Sequence, residues 1–429
     1  MIEDDDEDDV KLESPLVQKD ENSSRKNLKT FIYLLFLNIV VIAIVTIIII
    51  KLMREDINSP ESPKSFQVLL KDKEFIKPNI KINSELELVK TKNGMTGLLI
   101  SNPYSSYSFL GLTLGNGSYT DTVPGLAHFA EHMIFGGSEK YKYYSLNKMN
   151  SINDFAGNAA TGGTIMRYYV KSLNNFKFEK AVDILTDSFR YPRFDEEIIK
   201  KEIQPVNSEF YFRKSSKGHI LSNIKRQLSS NETSFNGFQT GTNQTLKPDE
   251  SLSLRKKLKG FHMTINRPEN IFFVLSSNKS IGVLEGYAEK YLSYSMHQFN
   301  DDEIDVEDKK KLEKNIKDLN EKDIFDQNLY GHWAYYNSNI KQNILDIFFN
   351  IGKVDYKSLN FELTKYFEYL FNSKPLFKIL KQKGYLATND GIIIDRDFSN
   401  KNNFIFVIEI ILTQKGIENI DDILLIIYK

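Results

Sequence analysis

The feature that most constrains this chain is a predicted helix with two histidines four residues apart. His128 and His132 lie in residues 125–136, which read GLAHFAEHMIFG. Residues four apart lie on one face of an α-helix, so both imidazoles can bind one metal ion. Glu131 lies on nearly the same face and can take a proton from water at the metal. The pattern H-x-x-E-H is a zinc motif; the alternative is two core or surface histidines that share a helix face by chance.

A tetrahedral catalytic zinc takes three protein ligands and leaves one position for water, so a third ligand must come from elsewhere. Residues 194–209 predict a second helix. Glu202 and Glu209 are two helical turns apart and therefore share a face. One could bind the metal while the other holds a ligand or a water. Pro205 lies between them, where its ring clashes with the preceding turn, and is expected to disturb the register of Glu202 more than that of Glu209.

Together with the two helices, several shorter segments carry a resemblance to a known family. The chain resembles the insulysin/pitrilysin (insulinase-like) zinc metallopeptidases, which include insulin-degrading enzyme and the mitochondrial processing peptidase. The similarity covers about residues 86–429. Outside the metal motif it is carried by GNGSYTD at 115–121, GNAAT at 157–161, RYYV at 167–170, NSE at 207–209 and TGTN at 240–243.

The resemblance implies a role for each candidate residue. One zinc ion per chain would be bound by His128, His132 and Glu209. Glu131 would be the general base, and Glu202 would be the supporting glutamate. A peptide or small-protein substrate would add as an extra strand to an edge strand formed by Gly157, Asn158, Ala159, Ala160 and Thr161.

The predicted strands and helices indicate an α+β fold. By the resemblance, it comprises two successive αβ-sandwich or αβ-roll domains of the insulinase-like type. A zinc-binding catalytic domain is expected at 81–300, a charged connector at 301–325, and a second, inactive-type domain at 326–429. Relatives of the insulin-degrading type have two halves of two domains each. This sequence stops within the second of those four domains, so we expect that domain to be incomplete here. A partner half or a homodimer would complete the substrate chamber.

The N-terminal region predicts a membrane anchor. Residues 1–30 contain a run of acidic residues that cannot form a core. Residues 31–50 are apolar and uncharged and match the thickness of a bilayer core. Residues 51–80 contain three prolines among charged residues and predict a stalk. Because more positive charge precedes the span than follows it, we expect a cytosolic N-terminus and a lumenal or extracellular peptidase domain.

Composition restricts the remaining alternatives. A net charge of −1 gives no indication of nucleic-acid binding, and the absence of cysteine excludes disulfides and thiolate zinc ligands. The sequence therefore predicts a membrane-anchored zinc metalloendopeptidase. The alternatives are a non-catalytic or partner-dependent peptide-binding or assembly subunit on the same fold, and a tethered protein whose helix pair is structural and binds no zinc.

Overall fold

The computed structural model describes most of the chain after residue 65. The described residues are 66–75, 83–142, 145, 148, 155–173, 176–230, 232–295, 297–325, 328, 330–337, 340–350, 352, 375–388, 392–399 and 404–428. The predicted acidic tail (1–30) and membrane span (31–50) lie outside them. Among the described residues, no helix is both long enough and apolar enough to cross a membrane.

A seven-stranded sheet forms the larger part of the fold. Its strands are β1 (Phe66–Lys71), β2 (Glu85–Thr91), β3 (Thr96–Ser101), β4 (Tyr107–Leu114), β5 (Phe155–Thr161), β6 (Met166–Leu173) and β7 (Ile271–Ser277). Their spatial order is β1-β2-β3-β7-β4-β6-β5. Neighbouring strands are antiparallel, except for the parallel pair β3 and β7.

The predicted stalk at 51–80 is wrong for residues 66–71. They form β1, which pairs with β2 at one edge of the sheet. The physical reason is the alternation of Phe66, Val68 and Leu70, a period of two that suits a half-buried strand. The prolines that suggested a stalk lie outside the described residues.

Helices pack against this sheet around one large core, to which β4 contributes the alternating residues Leu110, Leu112 and Leu114. The helices before the connector are α1 (Leu126–Ile134), α2 (Phe176–Arg190), α3 (Glu196–Arg213), α4 (Lys217–Gln227), α5 (Asn243–Leu246), α6 (Ser251–Ile265) and α7 (Ile281–Leu292). The observed α+β architecture agrees with the predicted fold class.

The charged connector is largely helical. Residues Val306–Glu321 form α8, which packs against α6. Leu312 of α8 is fully buried in the large core. Asp305 caps the helix by accepting a hydrogen bond from the Asp308 N–H at 3.0 Å. The connector is therefore part of the packed structure.

A three-stranded antiparallel sheet follows the connector and consists of β8 (Asn343–Asn350), β9 (Ile392–Ser399) and β10 (Phe404–Leu412), with β10 in the centre. The helices of this region are α9 (Pro375–Gln382), α10 (Gln414–Ile417) and α11 (Ile420–Ile427). Ile405 and Val407 of β10 share a small apolar cluster with Phe235 and with Leu319 of α8. Lys217 and Glu409 add an ion pair of 2.6 Å between α4 and β10.

One buried carboxyl near the β1 edge gives a pH-dependent prediction. Glu87 on β2 is only 9% exposed. Burial, together with the neighbouring Glu285, raises the pKa of Glu87 to about 7. The fold therefore favours the protonated form, and stability is lost as the pH rises from the ordinary pKa near 4.5 to about 7.

We predict that Glu87→Gln stabilises the protein at pH 8 by up to about 3 kcal/mol and gives no such gain at pH 4.5. Gln keeps the shape of the side chain but carries no charge to desolvate. Thermal unfolding at both pH values measures the effect. The control is Glu269→Gln, an exposed glutamate that is not among the charges that shift the pKa of Glu87, which should change the unfolding temperature little at either pH. An equal effect of Glu87→Gln at both pH values would contradict the prediction.

Candidate metal centre

Helix α1 presents its polar face outward because its apolar face is buried in the core. The buried residues include Phe129, Ala130 and Met133. His128, Glu131 and His132 occupy the other face and are half-buried. All three residues of the predicted motif therefore share one accessible side of the helix.

The start of α1 is held by a half-buried aspartate. The carboxylate of Asp121 accepts hydrogen bonds from the N–H groups of Gly125, at 3.1 Å, and Ala127, at 2.9 Å. Burial raises the pKa of Asp121 well above its ordinary value, although these backbone hydrogen bonds act in the opposite direction. Asp121 thus satisfies donors that the first turn of a helix leaves free.

Helix α3 supplies the two glutamates. It continues through Pro205 to Arg213, so the expected disturbance of the helix does not move Glu202 away from α1. Ile199, Ile203 and Val206 are buried on its inner side. Glu202, only 5% exposed, shares this buried side, and Glu209 lies two turns further along at its margin.

The three predicted ligands meet in one place. The Nε2 atom of His128 lies 3.5 Å from Oε2 of Glu209, and the Nε2 atom of His132 lies 3.6 Å from Oε1. One candidate ligand atom from each residue lies within 4.8 Å of the others. Residues 77 positions apart in the sequence, 209 minus 132, therefore form one cluster.

Each imidazole is oriented through its other nitrogen. Nδ1 of His128 donates a hydrogen bond to the carbonyl of Thr240 at 2.7 Å, and Nδ1 of His132 donates to Glu202 at 3.3 Å. With the proton on Nδ1, the lone pair of Nε2 points to the cluster. Partners of this kind orient metal-binding histidines in general.

His128 and Glu209 also shift each other's pKa, because a protonated His128 ring can donate from Nε2 to the carboxylate. Burial lowers the pKa of His128, but the hydrogen bonds with Glu209 and the Thr240 carbonyl outweigh burial, and the pKa is raised overall. The hydrogen bond from His128 is the largest cause of the lowered pKa of Glu209. The carboxylate of Glu209 is therefore held in its ionised form, the form that binds a metal cation.

The donor set fits a zinc ion. In a tetrahedral site with metal–ligand distances near 2.05 Å, neighbouring ligand atoms are ~3.3 Å apart. The observed separations of 3.5 and 3.6 Å are close to this value. Two imidazoles and one carboxylate are also a ligand set used by catalytic zinc, with one position left open.

Two glycines explain the close approach of α1 to the loop at 240–243. Gly125 has a φ of +89° and Gly241 a φ of +85°. A Cβ atom on Gly125 would overlap the backbone of Gly241. This contact brings the Thr240 carbonyl to His128. Thr242, the next residue, caps α5 by accepting a hydrogen bond from the Thr245 N–H at 3.3 Å.

The predicted substrate strand lies beside the cluster. Gly157 to Thr161 belong to β5, at the edge of the sheet opposite β1. Asn158 and Ala160 are exposed, whereas Ala159 packs against the core. Thr161 donates a hydrogen bond to Oε2 of Glu131 at 2.5 Å. The structure therefore brings the strand, the candidate base and the candidate ligands together.

Several contributors were not identified in the sequence. Asp308 of α8 accepts a hydrogen bond from Thr122 at 2.8 Å, and Asn315 of α8 donates to the carbonyls of Thr120 and Asp121 at 3.1 and 3.3 Å. The connector thus supports the loop that leads into α1. An Asp shortly before a helix is a recognisable capping signal for Asp121, but no local pattern indicates the contacts of Asp308 or Asn315.

The pattern H-x-x-E-H on one helix, with a glutamate on a second helix, is the arrangement found in metallopeptidases of the inverted zinc motif. Residues 97–236 match the sequence profile of the family described as Insulinase (Peptidase family M16). This match confirms the family resemblance seen in the sequence.

Individual proteins show the same relationship. The chain is 25% identical to Protease 3 of Escherichia coli over 363 residues, covering 83% of the chain and 36% of that protein. It is 28% identical to insulin-degrading enzyme of Drosophila melanogaster over 204 residues, covering 46% and 20% of the two. The crystal structure of pitrilysin shares the fold, with a TM-score of 0.69 at 24% identity over 85% of this chain and 37% of that one. The chain thus spans between 20% and 37% of the length of these relatives.

We predict that Gly125→Ala destabilises the protein, because the new methyl group overlaps Gly241 and alanine is strained at positive φ. The loss should be about 2 kcal/mol or more of unfolding free energy. Thermal unfolding of the metal-free protein measures it. Gly218→Ala is the matched control, because a Cβ there meets nothing within 4 Å and the residue is helical. It should be neutral or slightly stabilising. Equal unfolding temperatures for the two variants would contradict the role given to the glycine contact.

Proposed function

We propose that this chain is a membrane-anchored, zinc-dependent endopeptidase. The observation that carries the proposal is the convergence of His128, His132 and Glu209, with separations of 3.5 and 3.6 Å, beside Glu131 on the same helix. The match of residues 97–236 to the insulinase family profile supports the peptidase assignment.

In this proposal the two Nε2 atoms and the carboxylate of Glu209 hold one zinc ion. Zinc bound there supplies Lewis-acid chemistry, which polarises a carbonyl and makes water more acidic. Thr240 and Glu202 keep the imidazoles in the required tautomer and orientation. Arg213 lies 3.6 Å from Glu209 and helps to keep the carboxylate ionised.

Glu131 is the proposed general base. Its carboxylate accepts a proton from the attacking water and returns the proton to the amine that leaves the cleaved peptide bond. Its position one residue before His132 and three after His128 keeps it next to the ligands. The carboxylate is too short to replace a ligand from that position, so it remains available for proton transfer.

The proposed substrate is an extended peptide that pairs with β5. One side of β5 is paired with β6, and its other side forms the edge of the sheet. The edge strand of a sheet can receive an added strand through its backbone. Backbone pairing would bring a peptide bond past Thr161 and towards Glu131.

We further propose that residues 31–50 anchor the protein in a membrane, with the N-terminus in the cytosol and the peptidase domain in a lumen or outside the cell. The support is the uncharged apolar segment and the charge difference across it.

Extraction of membranes with alkaline carbonate tests the anchor. We predict that the full-length protein stays with the membrane, because a segment of about 20 apolar residues inserts in an effectively irreversible manner. Replacing four of the apolar residues between 38 and 46 with lysine should release it. Release of the unmodified protein by carbonate would contradict the anchor.

A partner-dependent, peptide-binding subunit is the second candidate. The two candidates differ in whether turnover by the purified chain needs a second protein. A partner half or a homodimer would, in this view, supply the remaining wall of the substrate chamber and raise turnover as well as affinity.

We predict that Glu131→Gln retains one zinc ion per chain and lowers peptide turnover by at least a hundredfold. Gln has the shape of Glu but cannot accept the proton, and general base catalysis contributes ~10²–10⁴-fold. Zinc content by elemental analysis and cleavage of a quenched fluorescent peptide library are the two measurements.

His128→Ala serves as the contrasting variant and should lose zinc as well as turnover, since affinity depends on the complete ligand set. For the same reason Glu209→Gln should weaken zinc binding more than Glu202→Gln. Turnover by Glu131→Gln at the rate of the parent protein would reject the proposed base. Stoichiometric zinc in a His128→Ala/His132→Ala variant would reject the proposed metal site.

A further inference from the structure

The carboxylate of Glu131 has a specific partner outside its own helix. Thr161 Oγ1 donates a hydrogen bond of 2.5 Å to Oε2 of Glu131. The contact joins α1 to the last residue of β5. Within the described part of the chain, Thr161 is the only residue found hydrogen-bonded to this carboxylate. This hydrogen bond restricts the rotamer of Glu131. It involves only Oε2, so Oε1 takes no part in it.

The side chain of Thr161 points to α1 because of the pleat of β5. Along the strand, Phe155 is buried and Gly157, Ala159 and Thr161 are half-buried, while the residues between them are exposed. Alternate residues of a strand face the same side. Thr161 is therefore the last of the row that faces the helices.

The backbone around Thr161 is well restrained. Thr161 pairs with Met166 of β6. The next two carbonyls, of Gly162 and Gly163, accept hydrogen bonds from the N–H groups of Ser118, at 3.0 Å, and Tyr119, at 2.9 Å. The ring of Tyr119 occupies the space that a Cβ atom on Gly163 would need. A hydroxyl at Thr161 is thus a fixed point for Glu131 to bind.

We propose that Thr161 is a positioning residue that orients Glu131 for proton transfer and links its orientation to the strand that receives the peptide. The inference rests on the proposed function, in which Glu131 is the base and β5 is the docking strand. A peptide paired with the outer edge of β5 would restrain the strand further. The same strand would then hold both the scissile bond and the base, which is the kind of pre-organisation on which rates depend.

The test compares Thr161→Val, which removes the hydroxyl and keeps the β-branched shape, with Thr161→Ser, which keeps the hydroxyl. We expect Thr161→Val to lower kcat by about tenfold or more, with KM changed less than about threefold, because misplacement of a catalytic group affects the chemical step. Thr161→Ser should stay within about threefold of the parent kcat. Thr113→Val on β4 makes the same chemical change on a half-buried threonine of the same sheet and should leave kcat unchanged.

Three measurements do not depend on turnover. Zinc content should remain one per chain in both variants at position 161, which separates positioning from loss of the metal. Crystal structures of the full-length variants should show Glu131 Oε2 within hydrogen-bonding distance of residue 161 in Thr161→Ser and a changed Glu131 rotamer in Thr161→Val. A thermal double-mutant cycle of Thr161→Val and Glu131→Gln in the metal-free protein should be non-additive by about 2 °C or more.

The outcomes separate this inference from the proposed function. If the parent protein cleaves peptides and Thr161→Val keeps its kcat, or if Thr161→Ser is as impaired as Thr161→Val, the positioning role is rejected while the peptidase assignment stands. If the parent protein neither binds zinc nor cleaves peptides, the proposed function fails. The variant structures and the double-mutant cycle then decide whether Thr161 orients Glu131. An unchanged Glu131 rotamer together with additive effects would reject the positioning role.

Discussion

The packing of α1 against α3 is the interaction on which the rest of the site depends. Each helix buries one apolar face in the same core, and the polar residues at the margins of those faces are therefore brought together. The arrangement places the two Nε2 atoms against one carboxylate of Glu209. Without a metal, this concentration of polar groups costs desolvation. Hydrogen bonds from His128 to Thr240 and from His132 to Glu202 offset part of that cost and set the direction of each ring.

Support for α1 extends well beyond its immediate neighbours. The half-buried Asp121 binds its first turn, and the loop that carries Asp121 is held by Asn315 of α8. The same connector contributes to the apolar cluster shared with β10. A continuous series of contacts therefore runs from the three-stranded sheet to the helix that carries the candidate ligands. This arrangement gives the second sheet a physical role in maintaining the site, since loss of its contacts would leave α8 and the capping loop less restrained.

Much of the fold could be predicted where a short segment carries its own pattern. The hairpin at Asn93-Gly94, the strand β4 and the strand β10 follow from alternating apolar residues and a turn that needs positive φ at Gly94. Strand β1 shows the same alternation, but the prolines before it suggested a stalk instead of a strand. The position of β7 between β3 and β4 had no local signal, because strand order depends on contacts between residues far apart in the sequence.

For the site, the sequence by itself determined that His128, Glu131 and His132 share one face of a helix, because the spacing of residues on a helix is fixed by its geometry. It also determined that Glu202 and Glu209 share a face of another. Only the tertiary structure decided that these faces meet, that the Thr240 carbonyl and Glu202 orient the rings, and that Thr161 binds Glu131. Those contacts join segments 30 to 112 residues apart. Their formation depends on which apolar faces pack together and on two glycines that allow close approach. Periodicity within a single segment encodes neither the pairing of the faces nor the close approach.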